Sequence, residues 1–252
     1  LLRALETEPD RWDTSSLKLM ISSGAMFTTE VKRGLIEHVP ELAIADILGS
    51  TEGGMGQSIM TKDPPPSETA KFTLLPVAKV LLPDGSREVV PGSGEVGMVA
   101  QGGMVPLGYY KDPEKSAKTF KEIDGTRYAF IGDMATIDAD GTINLLGRGS
   151  NCINTGGEKV FPEEVEEALK LHPDVADALV FGLEDERFGN RVAGVVSLEQ
   201  GGTAEAGDIL EATRKLLASY KLPKDLLVVP IVPRAPNGKA DYKTAKSMMA
   251  DG

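Results

Sequence analysis

Apolar positions in the first quarter of the chain follow two different periods. Residues 17–25 have the pattern of a short strand that enters a glycine turn, and residues 42–48 form a second apolar strand. Between them, residues 28–38 have the helical period, with Leu35 and Ile36 on one side. The order strand, helix, strand predicts the end of an α/β domain.

The middle of the chain alternates short β-prone runs with turns, from residue 71 to about residue 144. These runs are residues 78–82, 95–101 and 142–146. One helix over 113–120 interrupts them, with Asp112 as its N-cap and proline at its first position. The pattern predicts a small β-barrel-like subdomain, preceded by a stiff proline connector at residues 63–67.

The last hundred residues predict a compact α+β unit. Pro162 to Leu171 form a helix, because proline begins it and two acidic residues in its first turn suit the helix dipole. Asp208 is expected to cap a second helix that extends to Tyr220. The strands are predicted at residues 177–182, 192–198 and 226–232.

A segment rich in small residues separates this unit from the rest, and it reads GRGSNCINTGGEKVFP at 147–162. Small residues tolerate large changes of φ and ψ, so we interpret the segment as a hinge. The chain is therefore predicted to be a multi-domain α/β and α+β protein. Its parts are the end of an α/β subdomain (1–62), the β subdomain (63–148) and a mobile C-terminal α+β lid domain (149–252).

Composition narrows the classes of function. The 252 residues include 41% hydrophobic and 26% charged residues, as in a globular protein, and the net charge is −11. A strong negative charge argues against a nucleic-acid or membrane-surface protein, so a phosphate ligand would need local contacts. The single cysteine, Cys152, excludes an internal disulfide. No apolar run approaches the ~20 residues of a membrane helix, and we expect a cytoplasmic protein.

Three polar sites have residue types suited to nucleotide chemistry. The run GSTEGG at 49–54 follows a strand, where hydroxyls and a carboxylate can meet phosphates and Mg²⁺; the alternative is a glycine turn with a solvated Glu52. Asp133 follows the aromatic run 128–131 and offers two acceptor oxygens for a ribose, or is simply an acidic turn residue. Lys239 occupies a tight turn, either functional or only solvated.

The order of these motifs resembles the second half of the adenylate-forming enzymes, which include acyl-CoA synthetases, firefly luciferase and the adenylation domains of peptide synthetases. The resemblance covers essentially the whole chain. It rests on SGAM at 23–26, LGSTEGG at 48–54, MVPLGYYKDPEKSAKTF at 104–120, IGDMATIDADGTINLLGRGSNCINTGGEKVFPEEVEEAL at 131–169 and PNGKADY at 236–242.

The resemblance implies a role for each matching residue. Glu52 binds Mg²⁺, Thr51 contacts the phosphate region, and Lys239 reaches the substrate carboxylate and the α-phosphate, so these three form the catalytic set. Gly156, Gly157 and Lys159 belong to the face that meets coenzyme A. The residues implied in nucleotide binding are Gly24, Ala25, Asp46 (near the adenine amino group), Ser50, Thr51, Asp133 (at the ribose hydroxyls) and Arg148 beside it.

The chain also departs from the family pattern. Ser150 stands at the domain pivot, where the family mostly carries Asp or Lys, and Leu48 replaces an aromatic residue that stacks on adenine. The Ser/Thr/Gly-rich phosphate loop is absent, and the sequence starts without Met. We therefore expect the chain to be the C-terminal half of a longer enzyme, and a poor catalyst by itself.

The implied activity is ATP-dependent conversion of a carboxylic acid, fatty or steroid-side-chain, to an acyl-adenylate, followed by transfer to coenzyme A. The ligands are then ATP or AMP, Mg²⁺ and coenzyme A. Two alternatives stay open: transfer of the acyl group to a carrier protein, and a non-catalytic remnant that binds nucleotide or coenzyme A. The sequence predicts no nucleic-acid partner and leaves a homo-oligomer open.

Overall fold

The computed structural model describes residues 1–8, 11–24, 27–63 and 69–251. The chain divides into two compact units, Leu1–Leu146 and Gly147–Gly252. Most of the proline connector predicted at 63–67 lies outside the described residues. None of the helices in the described ranges combines the length and the apolar character that a bilayer crossing requires. The finer division of the first unit into 1–62 and 63–148 stays a prediction.

The first unit is a mixed α/β structure built on one sheet. Its elements are α1 (Leu2–Thr7), β1 (Leu19–Ser23), α2 (Thr29–His38), β2 (Ala43–Ser50), β3 (Gly53–Met60), β4 (Lys71–Leu74), β5 (Ala78–Leu81), β6 (Gly97–Gly102), α3 (Pro113–Thr119), β7 (Phe120–Ile123), β8 (Thr126–Ile137) and β9 (Ile143–Arg148), which ends in the second unit. Thr28 and Asp112 cap α2 and α3 through their side chains, as expected of residues that accept from orphan amides.

The sheet of the first unit is open. Its order is β1-β2-β3-β4-β9-β8-β6-β5, with β7 paired to β8. β1 and β2 are parallel and connected by α2, whereas the pairs β2–β3, β3–β4, β4–β9, β5–β6, β6–β8 and β7–β8 are antiparallel. The predicted α/β fold class is thus confirmed, but within the described strands the β subdomain does not close into a barrel, because β5 and β1 remain at opposite ends of the path.

One face of the β1–β3 region packs against α2. Ile44, Asp46 and Leu48 of β2 are buried because alternate residues of a strand point to the same face. Leu35 and Ile36 of α2 join Ile44 in one apolar cluster. The opposite face carries apolar side chains that are more than half exposed, namely Leu19, Ile21 and Ile59.

The second unit is an α+β sheet with helices on both faces. Its elements are β10 (Ile153–Thr155), β11 (Glu158–Val160), α4 (Pro162–Lys170), β12 (Val175–Asp185), β13 (Gly189–Leu198), α5 (Ala206–Thr213), β14 (Asp225–Val228) and α6 (Tyr242–Asp251). The described strand order is β11-β10-β13-β12, and β14 adds to β13 in parallel. Ala178 and Val180 face the cluster that includes α4 and α5, while Leu179 and Phe181 face Ala245 of α6.

Two sequence expectations for the second unit were wrong in detail. The residue before α5 is Glu205, not Asp208; Asp208 is the third helical residue and reaches back to the Glu205 amide, so the two acids satisfy each other's backbone donors. The helix also ends at Thr213, whose hydroxyl donates to the Ile209 carbonyl and competes with the helical ladder. Tyr220 therefore lies in a separate 3-10 turn.

The predicted strand over 226–232 is shorter than expected. β14 ends at Val228, two residues before Pro230. Proline has no backbone N–H to donate to a neighbouring strand, so the ladder stops near it. The chain then continues as an irregular segment toward Lys239.

Candidate functional site

The motif at 49–54 forms a tight connection between β2 and β3. The Glu52 amide donates to the Ser50 hydroxyl at 3.1 Å, which closes the turn. Gly53 has φ +151°, and a Cβ at this position would stand 2.7 Å from the Cγ of Gln101 on β6. Glycine is therefore required here both by its backbone conformation and by close packing. The turn is anchored on the sheet and is not simply a solvated loop.

The Glu52 carboxylate is held from both sides. The Tyr109 hydroxyl donates to its Oε1, and the Thr51 hydroxyl donates to its Oε2 at 3.3 Å. Burial raises the pKa of Glu52, but hydrogen bonds from Tyr109, from Ser50 and from backbone outweigh it, so the pKa lies below its ordinary value. The group is thus ionised at neutral pH.

Tyr109 belongs to the motif at 104–120, but the sequence alone gave no reason to single it out as a site residue. It lies 57 residues from Glu52 and reaches it across the sheet. Its amide donates to the Ser116 hydroxyl at 2.7 Å, and its ring lies 5.5 Å from the ring of Phe120. Because backbone and ring are both fixed, the hydroxyl is aimed at Glu52. The structure therefore brings two of the sequence motifs into direct contact.

Asp46 forms a buried ion pair with Lys32. The Lys32 Nζ lies 2.8 Å from the Asp46 Oδ2, and the two side chains are 1% and 6% exposed. Sequence reasoning assigned Asp46 to adenine and missed Lys32. The signal was present, since Lys32 precedes Leu35 by three residues and Ile36 by four and so shares their inward helix face. A contact of Asp46 with adenine stays a prediction.

The glycine loop after β1 is only partly described. Gly24 has φ +80° and open space where a Cβ would stand. The preceding Ser23 hydroxyl donates to the Ile47 carbonyl at 2.9 Å, which ties the end of β1 to β2. Ala25 lies outside the described residues. The turn is therefore shaped by its positive φ and not by crowding.

Asp133 lies inside β8, the same strand as the aromatic run 128–131 that precedes it. β8 runs through the residue, and the pairing of β6 with β8 shifts register here, with Val99 opposite three residues of β8. Gly132, at φ +95°, permits this bulge. A bulge redirects a side chain locally, and Asp133 is 9% exposed. It belongs to the same sheet as Gln101, on which the Glu52 turn packs.

The start of the second unit depends on Gly147. This residue has φ +129°, and a Cβ here would stand 2.1 Å from the Glu163 Oε2. The amide of Arg148 donates to the Glu163 Oε1 at 3.4 Å. Residues 149–151 follow as a 3-10 turn in which Ser150 is exposed. Gly147 was not singled out from sequence, yet side chains larger than hydrogen cannot occupy it without displacing Glu163.

The residues predicted to meet coenzyme A form a hairpin. Gly156 and Gly157 connect β10 to β11 with φ +60° and +92°, as a two-residue hairpin turn requires. The Gly156 amide donates to the Phe188 carbonyl at 2.9 Å. Lys159 is exposed on β11 opposite Asn154. The hydrogen bond to Phe188 thus fixes the hairpin turn, and Gly156, Gly157 and the Lys159 side chain are exposed to solvent.

Lys239 is exposed at the end of a short turn. The Ala235 amide donates to the Lys239 carbonyl at 2.8 Å, and the Lys239 amide donates to the Asn237 Oδ1 at 3.1 Å. Gly238 supplies the positive φ of +79°. Backbone and side-chain hydrogen bonds therefore order the turn, while Lys239 itself is exposed.

Acidic residues of α4 have partners within the second unit. Glu164 accepts from Lys221 at 2.6 Å, and Glu166 accepts from the Val180 amide at 2.9 Å. Burial raises the pKa of Glu166 to about 7, and the nearby Glu163 adds to this effect, while the hydrogen bond from Val180 opposes it. Lys170 and Arg234 also lower it, by smaller amounts.

Known proteins resemble the chain along nearly its whole length. A family described as the AMP-binding enzyme C-terminal domain matches residues 164–239. A medium/long-chain-fatty-acid–CoA/3-oxocholest-4-en-26-oate–CoA ligase of Mycolicibacterium smegmatis is 45% identical over 98% of this chain and 45% of its own length. A 3-oxocholest-4-en-26-oate–CoA ligase of Rhodococcus rhodochrous is also 45% identical, over 93% of this chain and 42% of its own length. The chain thus spans about half the length of the curated relatives it matches.

Solved structures agree with this similarity. ATP-bound MatB from Rhodopseudomonas palustris has a TM-score of 0.75 and 27% identity, covering 94% of this chain and 46% of its own. The amide bond synthetase McbA from Marinactinospora thermotolerans has a TM-score of 0.79 and 26% identity, covering 98% of this chain and 50% of its own. Both support the mixed α/β fold described above.

Removal of one member of the Lys32–Asp46 pair is expected to destabilise the first unit. Lys32→Met leaves the Asp46 carboxylate buried without its cation, which should lower the free energy of unfolding by about 3–5 kcal/mol. Fluorescence of Trp12, the single tryptophan, reports urea unfolding of this unit. Combining Lys32→Met with Asp46→Leu should recover most of the loss, because no buried charge then remains. A single variant as stable as the parent chain would contradict the role of the pair.

Glu166 should make the stability of the second unit fall as pH rises. Its folded-state pKa of about 7 exceeds the ordinary value of 4.5, so the folded state binds the proton more tightly than the unfolded state. The resulting stability is complete below about pH 4.5 and is lost as pH rises through about 7. Glu166→Gln, which keeps an acceptor for Val180, should remove a fall of about 1–3 kcal/mol across this window. The free energy of unfolding of the second unit is measured at each pH from its NMR signals during a urea titration. If this free energy changes with pH in the same way in the parent chain and in Glu166→Gln, the raised pKa of Glu166 is refuted.

Proposed function

Because the chain belongs to the adenylate-forming superfamily, among its acyl-CoA synthetases, we propose that the protein activates a carboxylic acid with ATP and transfers the acyl group to coenzyme A. The observation that carries this proposal is 45% identity over 98% of the chain to a fatty-acid and steroid-acid CoA ligase. The contact of Tyr109 with Glu52 supports it from the geometry, since it joins two motifs of the family.

The first half-reaction joins two anions. The substrate carboxylate attacks the α-phosphate of ATP, the bond to the β-phosphate breaks, and pyrophosphate leaves with the electron pair. Positioning and cationic stabilisation of the phosphate oxygens supply most of the catalysis in such phosphoryl chemistry. Lys239 would place its ammonium against the substrate carboxylate and the α-phosphate. Thr51 would hold the phosphate region with its hydroxyl.

Glu52 is suited to hold Mg²⁺ beside the phosphates. The ion usually takes one or two protein carboxylates and completes its shell with phosphate oxygens and water. Glu52 has a lowered pKa, and the side-chain donors that its carboxylate has among the described residues, Tyr109 and Thr51, are neutral hydroxyls, which leave its negative charge for an ion. When bound, the ion would neutralise part of the triphosphate charge.

The nucleoside would lie along the carboxyl-end loops of the first sheet. Gly24 and Ala25 would flank adenine, with Asp46 near its amino group, and Ser50 would contribute a hydroxyl beside Thr51. The bulge at Asp133 supports the proposed ribose contact, because it takes this residue out of the regular pairing of β6 with β8. Arg148 would add a cation near the ribose.

In the second half-reaction the thiol sulfur of coenzyme A attacks the acyl carbonyl, AMP leaves, and the thiol proton passes to solvent. We propose that the second unit rotates about Ser150 between the two steps, which lets Lys239 act in the first. Gly156, Gly157 and Lys159 would act in the second. Gly147, which adopts φ +129°, and the small exposed Ser150 support a pivot here, since small residues tolerate large changes of φ and ψ.

The substrate acid is proposed from the relatives. Both compared ligases act on the steroid-side-chain acid in their names, and one also acts on medium- and long-chain fatty acids. ATP–pyrophosphate exchange by the full-length protein, measured with a panel of acids, should respond to fatty or steroid-side-chain acids. Thioester should form only with coenzyme A. Acyl loading of a carrier protein instead, or no exchange with any acid, would contradict the proposal.

Lys239→Ala should separate the two half-reactions. Removing one preorganised donor at such a site lowers the rate about 10²–10³-fold, so adenylation in the full-length protein should fall by this factor. Thioester formation from chemically prepared acyl-adenylate should be retained, because Lys239 then has no phosphoryl transfer to assist. Equal loss of both steps would reject the assignment. Lys246→Ala, which removes a different lysine of the same unit, is the control and should leave the adenylation rate near that of the parent.

A further inference from the structure

One arginine connects the turn of Lys239 to the sheet of the second unit. The Arg234 Nε and Nη2 donate to the two carboxylate oxygens of Asp177 on β12, at 2.6 and 2.7 Å. Its remaining terminal nitrogen, Nη1, donates to the Gly238 carbonyl at 3.4 Å. One edge of the guanidinium thus binds Asp177 on β12, and the remaining nitrogen binds the carbonyl of the peptide that precedes Lys239.

The backbone strengthens this connection. Arg234 pairs with Ala240 as an isolated antiparallel bridge, so the two residues flank the turn on either side of Lys239. The Asp241 amide donates to the Pro233 carbonyl at 3.2 Å. The turn is therefore closed at its base, and the base is fixed to β12 by Arg234. Nearer its tip, the Gly238 amide donates to the Ala235 carbonyl at 2.8 Å and the Gly238 carbonyl accepts from Arg234.

A second anchor lies just beyond the turn. Tyr242 begins α6, and the Asn151 side-chain amide donates to its hydroxyl at 3.4 Å. Both anchors belong to the second unit, and they hold the segment that carries Lys239 from two directions. Arg234 is the anchor on the turn itself.

We infer that Arg234 is a positioning residue for Lys239, which it aims by tying the Gly238 peptide to Asp177. The inference rests on the proposed role of Lys239 in adenylation. Arginine suits this role because its planar guanidinium has several N–H donors. Two of them can bind one carboxylate while a third binds a carbonyl. A displacement of about 1 Å at a catalytic group can cost about 10²-fold in rate.

The experiment compares Arg234→Ala with a matched ion pair elsewhere in the same unit. Arg191 binds Asp225 at 2.6 Å, donates to the Glu184 carbonyl at 2.7 Å, and has nearly the same exposure as Arg234, 33% against 34%. Arg191→Ala therefore removes an ion pair of similar exposure whose hydrogen bonds, among the described residues, go to Asp225 and Glu184 and so lie outside the Lys239 turn. Two readouts are measured: amide hydrogen exchange of residues 235–241 in the 252-residue chain, and both half-reactions in the full-length protein.

Arg234→Ala should accelerate exchange in the turn by at least about tenfold and lower the adenylation rate about 10–10²-fold. It should do so through kcat rather than through KM for ATP, and thioester formation from prepared adenylate should be retained. Arg234→Lys, which keeps the charge but not the fork, should recover only part of the rate. Arg191→Ala should leave exchange in 235–241 and adenylation near those of the parent.

The outcomes separate this inference from the proposed function. If Arg234→Ala changes neither turn exchange nor adenylation while Lys239→Ala abolishes adenylation, the positioning role is wrong and the function stands. If Arg234→Ala loosens the turn but Lys239→Ala leaves adenylation intact, the proposed role of Lys239 fails and the inference about catalysis fails with it. If Arg191→Ala produces the same losses as Arg234→Ala, the effect is general destabilisation and the positioning role is refuted.

Discussion

The unpaired edge of β12 is the constraint around which the second unit is organised. β12 is the terminal strand of the described sheet order, so its outer backbone groups have no neighbouring strand. Glu166 from α4 accepts the Val180 amide, and Asp177, on the same strand, takes the fork of Arg234. Glu166 thus occupies one outer amide of an edge that would otherwise offer a template for another strand. The segment that carries Arg234 and Lys239 is attached to the same strand through the Asp177 side chain.

Covering an edge with a carboxylate has an electrostatic cost. Glu166 is withdrawn from water beside Glu163, which explains why its pKa is raised to about 7. The hydrogen bond from Val180 recovers part of that cost. Glu163 has a separate function at the boundary of the units, where its carboxylate lies against the Gly147 backbone. Two acids one turn apart on α4 therefore have different contacts: Glu166 binds the edge strand β12, and Glu163 contacts the proposed hinge at Gly147 and Arg148.

The first unit holds two of its carboxylates in different ways. Asp46 is paired with Lys32 inside the core, whereas Glu52 accepts from the neutral hydroxyls of Tyr109 and Thr51 at the sheet margin. The difference matters chemically. An acid already paired with a buried ammonium has little charge left for a ligand, whereas Glu52 keeps its charge for one. This contrast supports the proposed role of Glu52 in holding Mg²⁺, while Asp46 also ties α2 to β2 through its pair with Lys32.

The sequence by itself determined the local elements and the family. The helices at 28–38, 113–120 and 162–171 were predicted within one residue of each end, because caps, prolines and apolar periods are local signals. Motif order likewise identified the adenylate-forming superfamily. Strand lengths and the end of α5 were less well predicted, because they depend on which neighbours are available for pairing.

Only the tertiary structure decided which polar groups meet. Tyr109 and Arg234 each contact a carboxylate 57 residues away, and Lys32 turns inward although its residue type suggests solvent. The bulge at Asp133 arises from the register between two strands and has no local signature beyond one glycine. Such contacts depend on long-range packing and pairing, whereas sequence periodicity records only the face on which each residue lies.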